Sequence, residues 1–321
     1  MSEYALVGDI GGTNARFALV RPGSVELQQV RTLNCADYRN IDDACRDYFA
    51  AVGIERVARA CLAFACPVQG DEIRMTNNHW RFTRETLKRQ LGLDQLKLVN
   101  DFTAMALGML HVPSGERLVV GGGRALDGAA RLVIGPGTGL GVSGLVPAND
   151  GWIPLATEGG HVSFAPTDEV ELAVWRQLNE QFGRVSVERI LCGQGLLNLY
   201  RALCGYRSQP VRCESPAEIS TRALAGSEPM AVEALSRFCR ILGAVAGDAV
   251  LTLGARGGVY LCGGILPKVA EFFLQSGFRE AFEAKGRFVE YMAQVPVWLC
   301  TADNPGLLGA AAALDNAEVA G

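Results

Sequence analysis

GDIGGTNARF, residues 8–17, places two adjacent glycines and a threonine between two apolar runs, Tyr4–Val7 and Phe17–Val20. Two readings of this stretch compete. A Gly-Gly pair between strands is an ordinary hairpin turn. The same residues also make a phosphate cradle, because glycine admits positive φ and carries no side chain to block an anion from converging backbone N–H groups. Gly11, Gly12 and Thr13 would form that nest, with the Thr13 hydroxyl as a further donor. Asp9 would repel phosphate directly, but it can hold Mg2+ through water, and the ion then bridges to phosphate oxygens.

A second stretch decides between them. RLVIGPGTGLGVSGLV, residues 131–146, has the same strand, glycine turn, strand form, with Gly137, Thr138 and Gly139 in place of the first nest. Two copies, each with threonine after glycine, favour phosphate over a plain hairpin. Duplication also suggests two similar α/β domains facing one another, with a ligand in the cleft. Other nucleotide signatures are missing. No G-x-x-x-x-G-K-[ST] occurs, and GPGTGLG runs into an apolar strand rather than a helix, which disfavours a dinucleotide fold.

Composition narrows the function classes. Hydrophobic residues at 49% and charged residues at 20% describe a folding chain, and 321 residues suggest about two domains. A net charge of −4 offers no electrostatic footprint for nucleic acid or an anionic membrane surface. Glycines and prolines interrupt the longest uncharged window, Leu132–Asn149, and no basic segment precedes the first apolar run. Ten scattered cysteines without C-x-x-C spacing read as reduced core thiols in a cytoplasmic protein, not as zinc ligands or disulfides.

Periodicity predicts strands over 4–8, 15–20, 25–33, 59–66, 96–99, 257–265 and 296–301. It predicts helices over 41–52, 102–110, 169–182, 187–203, 229–253 and 267–273, and a final helix with Asn304 as its cap and Pro305 in its first turn. Several polar groups stand out with two meanings each. Asn100-Asp101, between a strand and a helix, is either a helix cap or a catalytic carboxylate. His161, in EGGH, is either a structural histidine or a ligand. Glu188 has the look of a solvated helix charge. Gly263-Gly264 reads as a strand-to-helix turn, and His79 and Trp80 of TNNHW read as packing groups.

In chain order, GDIGGTNARF, TNNHW, VNDF, GPGTGLG, EGGH, SVERILCGQGL, CGGILP and DNPGLLG resemble the bacterial glucokinases. These are ATP-dependent hexose kinases of the actin/hexokinase/heat-shock ATPase superfamily. The resemblance covers essentially the whole chain. PTDEVELAVW follows EGGH without a cysteine, so the chain is similar to the zinc-free branch rather than to the repressor–kinase (ROK) branch with its zinc motif.

The resemblance implies an α/β fold of two actin-like (ribonuclease H-like) domains with a cleft between them. A small domain would span 1–110, helix 304–321 would return to it, and a large domain would span 111–303. It implies in-line transfer from MgATP to the 6-hydroxyl of D-glucose, feeding glycolysis or related sugar catabolism. Asp101 would be the general base. Asn100, Asp101, Glu158, His161 and Glu188 would bind glucose. Gly8, Asp9, Gly11, Gly12, Thr13, Asn14, Gly137, Thr138, Gly139, Gly263 and Gly264 would hold ATP, and Asp9 would hold Mg2+ through water. A cytoplasmic homodimer without nucleic-acid or membrane partners completes the expectation. Two rivals remain at this level. An ATPase that switches a protein partner would keep both turns without needing the sugar set. A sugar-sensing protein without turnover would not need Asp9 and Asp101 intact.

Overall fold

The two arms of the opening turn are strands β1 (Ala5–Ile10) and β2 (Asn14–Val20), joined by β3 (Gln28–Asn34) and β4 (Arg59–Phe64). A small antiparallel hairpin, β5 (Glu72–Arg74) and β6 (Arg81–Thr83), precedes β7 (Gln95–Asn100). The computed structural model describes residues 3–68, 70–149 and 151–319. Met1, Ser2, Ala320 and Gly321, at the ends of the segments expected to form the small domain, lie outside the described residues.

The chain divides into two units, Met1–Glu116 with Leu145–Ala156 and Ala302–Gly321, and Arg117–Gly144 with Thr157–Thr301. The first unit carries a five-stranded sheet in the order β3-β2-β1-β4-β7. β1 pairs antiparallel with β2, while β1, β4 and β7 run parallel. β1 and β4 are buried almost throughout, which is why they read as unbroken apolar runs rather than alternating ones. Leu6, Phe17, Tyr48, Leu62, Phe64 and Trp80 belong to the core beneath them.

Helix Asp101–Met109 leaves the end of β7 and packs on helix Pro305–Asp315. Their backbones pass so closely that a Cβ on Gly309 would enter the Ala104 carbonyl, and one on Gly108 the Pro305 carbonyl. The far end of the Pro305 helix is held by cations, as its dipole favours. Lys97 Nζ donates to the Ala313 and Asn316 carbonyls at 3.0 and 2.8 Å. Arg59 donates to the Leu314 carbonyl at 3.0 Å and to Asp315 at 2.7 Å. Lys97 is buried, and this burial draws its pKa below the usual lysine value. The expected cap is corrected here: the Asn304 side chain makes no capping bond, and only its carbonyl accepts, from Leu308 N–H at 3.2 Å.

The second unit is built on β8 (Arg117–Val119), β9 (Arg131–Pro136), β10 (Leu140–Ala148), β12 (Val259–Leu261) and β13 (Val297–Cys300), with β10, β9, β12, β13 and β8 as successive neighbours. From Leu145 onward, β10 and β11 (Gly151–Pro154) form an antiparallel hairpin that belongs to the first unit. Leu196, Tyr200, Phe238, Leu242, Phe278 and Phe282 anchor the core of the second unit. Helices Glu169–Phe182 and Pro229–Leu253 have the expected bounds. The expected helix over 187–203 does not form as one piece. Val187–Arg189 is a separate 3-10 turn, and Cys192 restarts the chain as helix Gly193–Tyr206, its thiol accepting from Gly195 N–H at 3.2 Å. The segment expected as a helix over 267–273 likewise opens as a 3-10 turn, Leu266–Val269, before helix Ala270–Leu274.

All ten cysteines are free and buried. Among the described residues no group of three or more His, Cys, Asp or Glu side chains clusters for a metal, and no helix is long and apolar enough to cross a membrane.

Candidate active site

Parallel pairing aligns the first group of candidates. Ile10 stands opposite Phe64, and Phe64 opposite Asn100. The turn after β1 and the Asn100-Asp101 pair therefore share the carboxyl end of three parallel strands, where open α/β sheets place their ligands.

The opening turn is tighter than expected. Gly11 N–H donates to the Asn14 carbonyl at 2.9 Å, so that donor is spent inside the turn and is not available to an anion. Gly11, Gly12, Gly137 and Gly139 all lack the left-handed backbone that the nest reading assumed. Gly12 and Gly139 are needed for closeness instead, whereas Gly11 and Gly137 leave room for a Cβ. A Cβ on Gly12 would lie 2.7 Å from Asn77 Cβ, and one on Gly8 would lie 2.7 Å from the Leu62 side chain. Asn78 Nδ2 donates to the Gly11 carbonyl at 3.4 Å, and Cys35 N–H to the Thr13 carbonyl at 2.8 Å. His79 Nε2 and Trp80 Nε1 meet the single Tyr38 carbonyl at 2.9 and 3.2 Å, which ties the clamping loops together. Asn77 and Asn78 were not singled out from sequence. Their signal was their place in TNNHW beside a buried tryptophan. Thr13 is left exposed, and Asn14 opens β2 opposite Asn34.

Asp9 lies across the β1–β2 pair from Arg16, whose guanidinium stands 3.6 Å from its carboxylate, beyond hydrogen-bond length. Burial pushes the Asp9 carboxyl above its usual pKa, and Arg16 opposes that rise. A Cβ on Gly306, at the start of the last helix, would lie 2.9 Å from Asp9 Oδ2, so the glycine keeps a space open beside the carboxylate. One hard carboxylate with room around it and no protein cage suits a Mg2+ ion that keeps its waters.

At Asn100-Asp101 the helix-cap reading is met by Asn100. Asn100 is the cap: its Oδ1 accepts from Phe102 and Thr103 N–H at 2.9 and 3.3 Å. Asp101 is the first helical residue, half-buried, with Oδ1 accepting from its neighbour Phe102 N–H at 2.8 Å. The positive end of the helix thus faces the Asp101 carboxylate.

The second group gathers around the second turn. Gly137 N–H donates to the Gly139 carbonyl at 2.8 Å, and the Gly137 carbonyl accepts from Gly193 N–H at 2.9 Å. Leu140 N–H donates to Glu188 Oε2 at 2.8 Å. The EGGH glycines lie flat on the start of β10: a Cβ on Gly160 would enter the Leu140 carbonyl, and one on Gly159 would lie 2.8 Å from Val142 Cβ. This packing carries Glu158 and His161 to the turn. His161 Nε2 is 4.0 Å from Glu158 Oε2, and its Nδ1 is 3.9 Å from Glu188 Oε1. Both gaps are too long for a direct bond, and a hydroxyl that both donates and accepts can bridge each of them. Gly263 has φ +85° and turns against the Pro136 carbonyl, so the Gly263-Gly264 turn stands beside Gly137. Thr138 and Gly264 are exposed.

The family described as Glucokinase matches residues 6–317. A glucokinase of Hahella chejuensis is 59% identical over 318 residues, which cover 99% of each chain. A solved glucokinase from an Antarctic psychrotroph is 35% identical, with a TM-score of 0.91 over 99% of this chain and 100% of that one. A ROK-family glucokinase from Streptomyces griseus, solved with glucose and AMPPNP, has a TM-score of 0.61 at 19% identity, covers 96% of this chain and 98% of its own, and bears on the fold alone. The fold is a mixed α/β fold of the actin-like ATPase class. The chain belongs to the glucokinase family and is an enzyme, a glucose kinase.

Proposed function

We propose that the chain transfers the γ-phosphoryl group of MgATP in line to the 6-hydroxyl of D-glucose, with Asp101 as general base. The observation that carries this reading is the pair of hydroxyl-sized gaps from His161 to Glu158 and Glu188, in a chain of this family. A hexose presents hydroxyls that donate to carboxylates and accept from histidine. Glu158, His161 and Glu188 take that role, joined by Asn100 and Asp101. The Asn100 Oδ1 is committed to its helix and Nδ2 donates to the Cys66 carbonyl at 3.5 Å, so the second Nδ2 hydrogen is what it offers the sugar.

Asp101 accepts the proton of the attacking hydroxyl. A positioned base of this kind contributes roughly 10²–10⁴-fold in rate, or about 3–5 kcal/mol of barrier. The rest of the catalysis is positioning and charge stabilisation, as phosphoryl transfer requires. With Gly11 and Gly137 N–H bonded inside their turns, the phosphate donors fall to Gly12, Thr13, Thr138 and Gly139. Gly8 and Asn14 shape the first turn. Gly263 and Gly264 give the adenosine end a side-chain-free passage. Asp9 would hold Mg2+. The ion, when bound, neutralises charge on the phosphate oxygens.

The glucokinase name of a relative 59% identical over the whole chain supports glucose as the acceptor here. We assign the small domain to 1–110 with the helix from 304, and the large domain to 111–303 apart from 111–116 and the 145–156 hairpin, which group with the first unit. We further assign a homodimer working in the cytoplasm, where ten buried free thiols stay reduced. The test is a coupled assay of MgATP consumption with and without a panel of hexoses. A large rise with glucose, with glucose 6-phosphate as product, is expected. A rate indifferent to every hexose would overturn the proposal in favour of an ATPase that acts on a protein partner.

A further inference from the structure

We propose that Glu188 is a shared ligand, fastening the second glycine turn with one carboxylate oxygen and binding sugar with the other, so that sugar binding and the geometry of the nucleotide turn are linked within this unit. The inference rests on the sugar reading of Glu158, His161 and Glu188. Oε2 accepts from Leu140 N–H at 2.8 Å, directly after the turn. Oε1 lies on the other side, 3.9 Å from His161 Nδ1. A carboxylate is a rigid plane, so one oxygen cannot be reoriented without moving the other.

The turn is shaped to admit this carboxylate. A Cβ on Gly139 would lie 2.6 Å from Glu188 Oε2, whereas one on Gly137 would meet nothing closer than 3.9 Å. The segment carrying Glu188 also holds the opposite side of the turn, through Gly193 N–H to the Gly137 carbonyl at 2.9 Å. Between these two holds the segment is braced by Asn198, a buried side chain that donates to the Arg189 carbonyl at 3.0 Å. The break at Cys192 follows from this arrangement. One continuous helix over 187–203 could not present both the Glu188 carboxylate and a helix-starting N–H to a single turn.

Linkage of this kind is reciprocal. A change at the Gly139 contact with Glu188 must alter glucose affinity with no nucleotide present, and a change to the Glu188 reach must alter nucleotide affinity with no sugar present. The experiment is calorimetric titration of the full chain. Glucose alone is titrated into the parent and into Gly139→Ala, Gly137→Ala and Thr138→Ala. Gly139→Ala is expected to weaken glucose binding about tenfold, within the usual range for coupled sites, and the other two to stay within about twofold. AMPPNP with Mg2+ is then titrated into Glu188→Asp without sugar, where a loss of about fivefold or more is expected as the shortened side chain leaves Leu140 N–H.

Parental glucose affinity in Gly139→Ala, or equal loss in all three turn variants, would overturn the proposal. Unchanged AMPPNP affinity in Glu188→Asp would do the same, and that arm decides alone if Gly139→Ala does not fold. A parent chain that binds no glucose would instead overturn the sugar reading beneath it, while the AMPPNP arm still reads the hold on the turn.

Discussion

The turn between β1 and β2 and the turn between β9 and β10 share the strand, Gly-Thr turn, strand pattern, yet they are held in place by different chemistry. Neutral groups clamp the first. Asn78 reaches its Gly11 carbonyl, Asn77 fills the space over Gly12, and Cys35 N–H takes the Thr13 carbonyl. Its carboxylate, Asp9, lies inside the motif and against the start of the last helix. A carboxylate clamps the second turn from outside, as Glu188 takes Leu140 N–H. Stepping along the two motifs by their Gly-Thr pairs, Asp9 corresponds to Ile134, so no acid stands at the equivalent place. The two turns thus differ in where the nearby acid sits: within the motif at Asp9, or beside it at Glu188.

This contrast can be broken in graded ways. The largest effect is expected for Asp101→Asn, in the first unit: kcat should fall roughly 10²–10⁴-fold with glucose affinity little changed, since the amide keeps the shape and loses the proposed base. Near-parental kcat in a folded variant would remove the base from the first unit. Next comes Gly12→Ala, which puts a methyl against Asn77 and should raise the KM for ATP about tenfold by disturbing the turn. Adding Asn77→Gly removes the opposing Cβ and should recover much of the loss in a double-mutant cycle. Additive losses would show that the Asn77 clamp does not set the turn. The smallest effect is expected for Lys97→Met, which leaves helix-end carbonyls without their donor. Urea unfolding should show a loss of about 1 kcal/mol. In the same variant the KM for ATP should rise more than that for glucose, because the affected helix abuts Asp9 and not Glu188. The reverse order would detach the last helix from the first turn.

Much of the fold was legible because the signals are local. Apolar runs between glycine turns gave β1, β2, β4 and β7, and helices 41–52, 169–182 and 229–253 have clear starts, all three with side-chain caps, at Asn40, Asp168 and Glu228. The segment 187–203 was illegible as two pieces, since its apolar spacing fits one helix and the break is forced by a turn some fifty residues earlier. The Asn304 cap also failed. Its backbone, at φ −134° and ψ 50°, departs from the extended conformation of a capping residue, and its side chain makes no capping bond. At the site, residue types pointed to the right chemistry but not to the mechanism of each glycine. Positive φ is a property of one residue and was assumed. Close approach is a property of two distant residues, such as Gly12 with Asn77 or Gly139 with Glu188, and no window of sequence contains both.

The last helix carries a consequence for how the chain is made. Its backbone seats against Ala104 and Gly108, its start borders Asp9, and its end covers Lys97. All of these partners emerge from the ribosome long before residue 305, with most of the second unit synthesised in between. During that interval the nascent first unit holds an uncovered lysine and an open helix seat, and its phosphate turn lacks one wall. Vectorial folding, in which domains generally close in order of synthesis, is therefore inverted here: the later unit can finish first, and the earlier one waits for its final strip of chain.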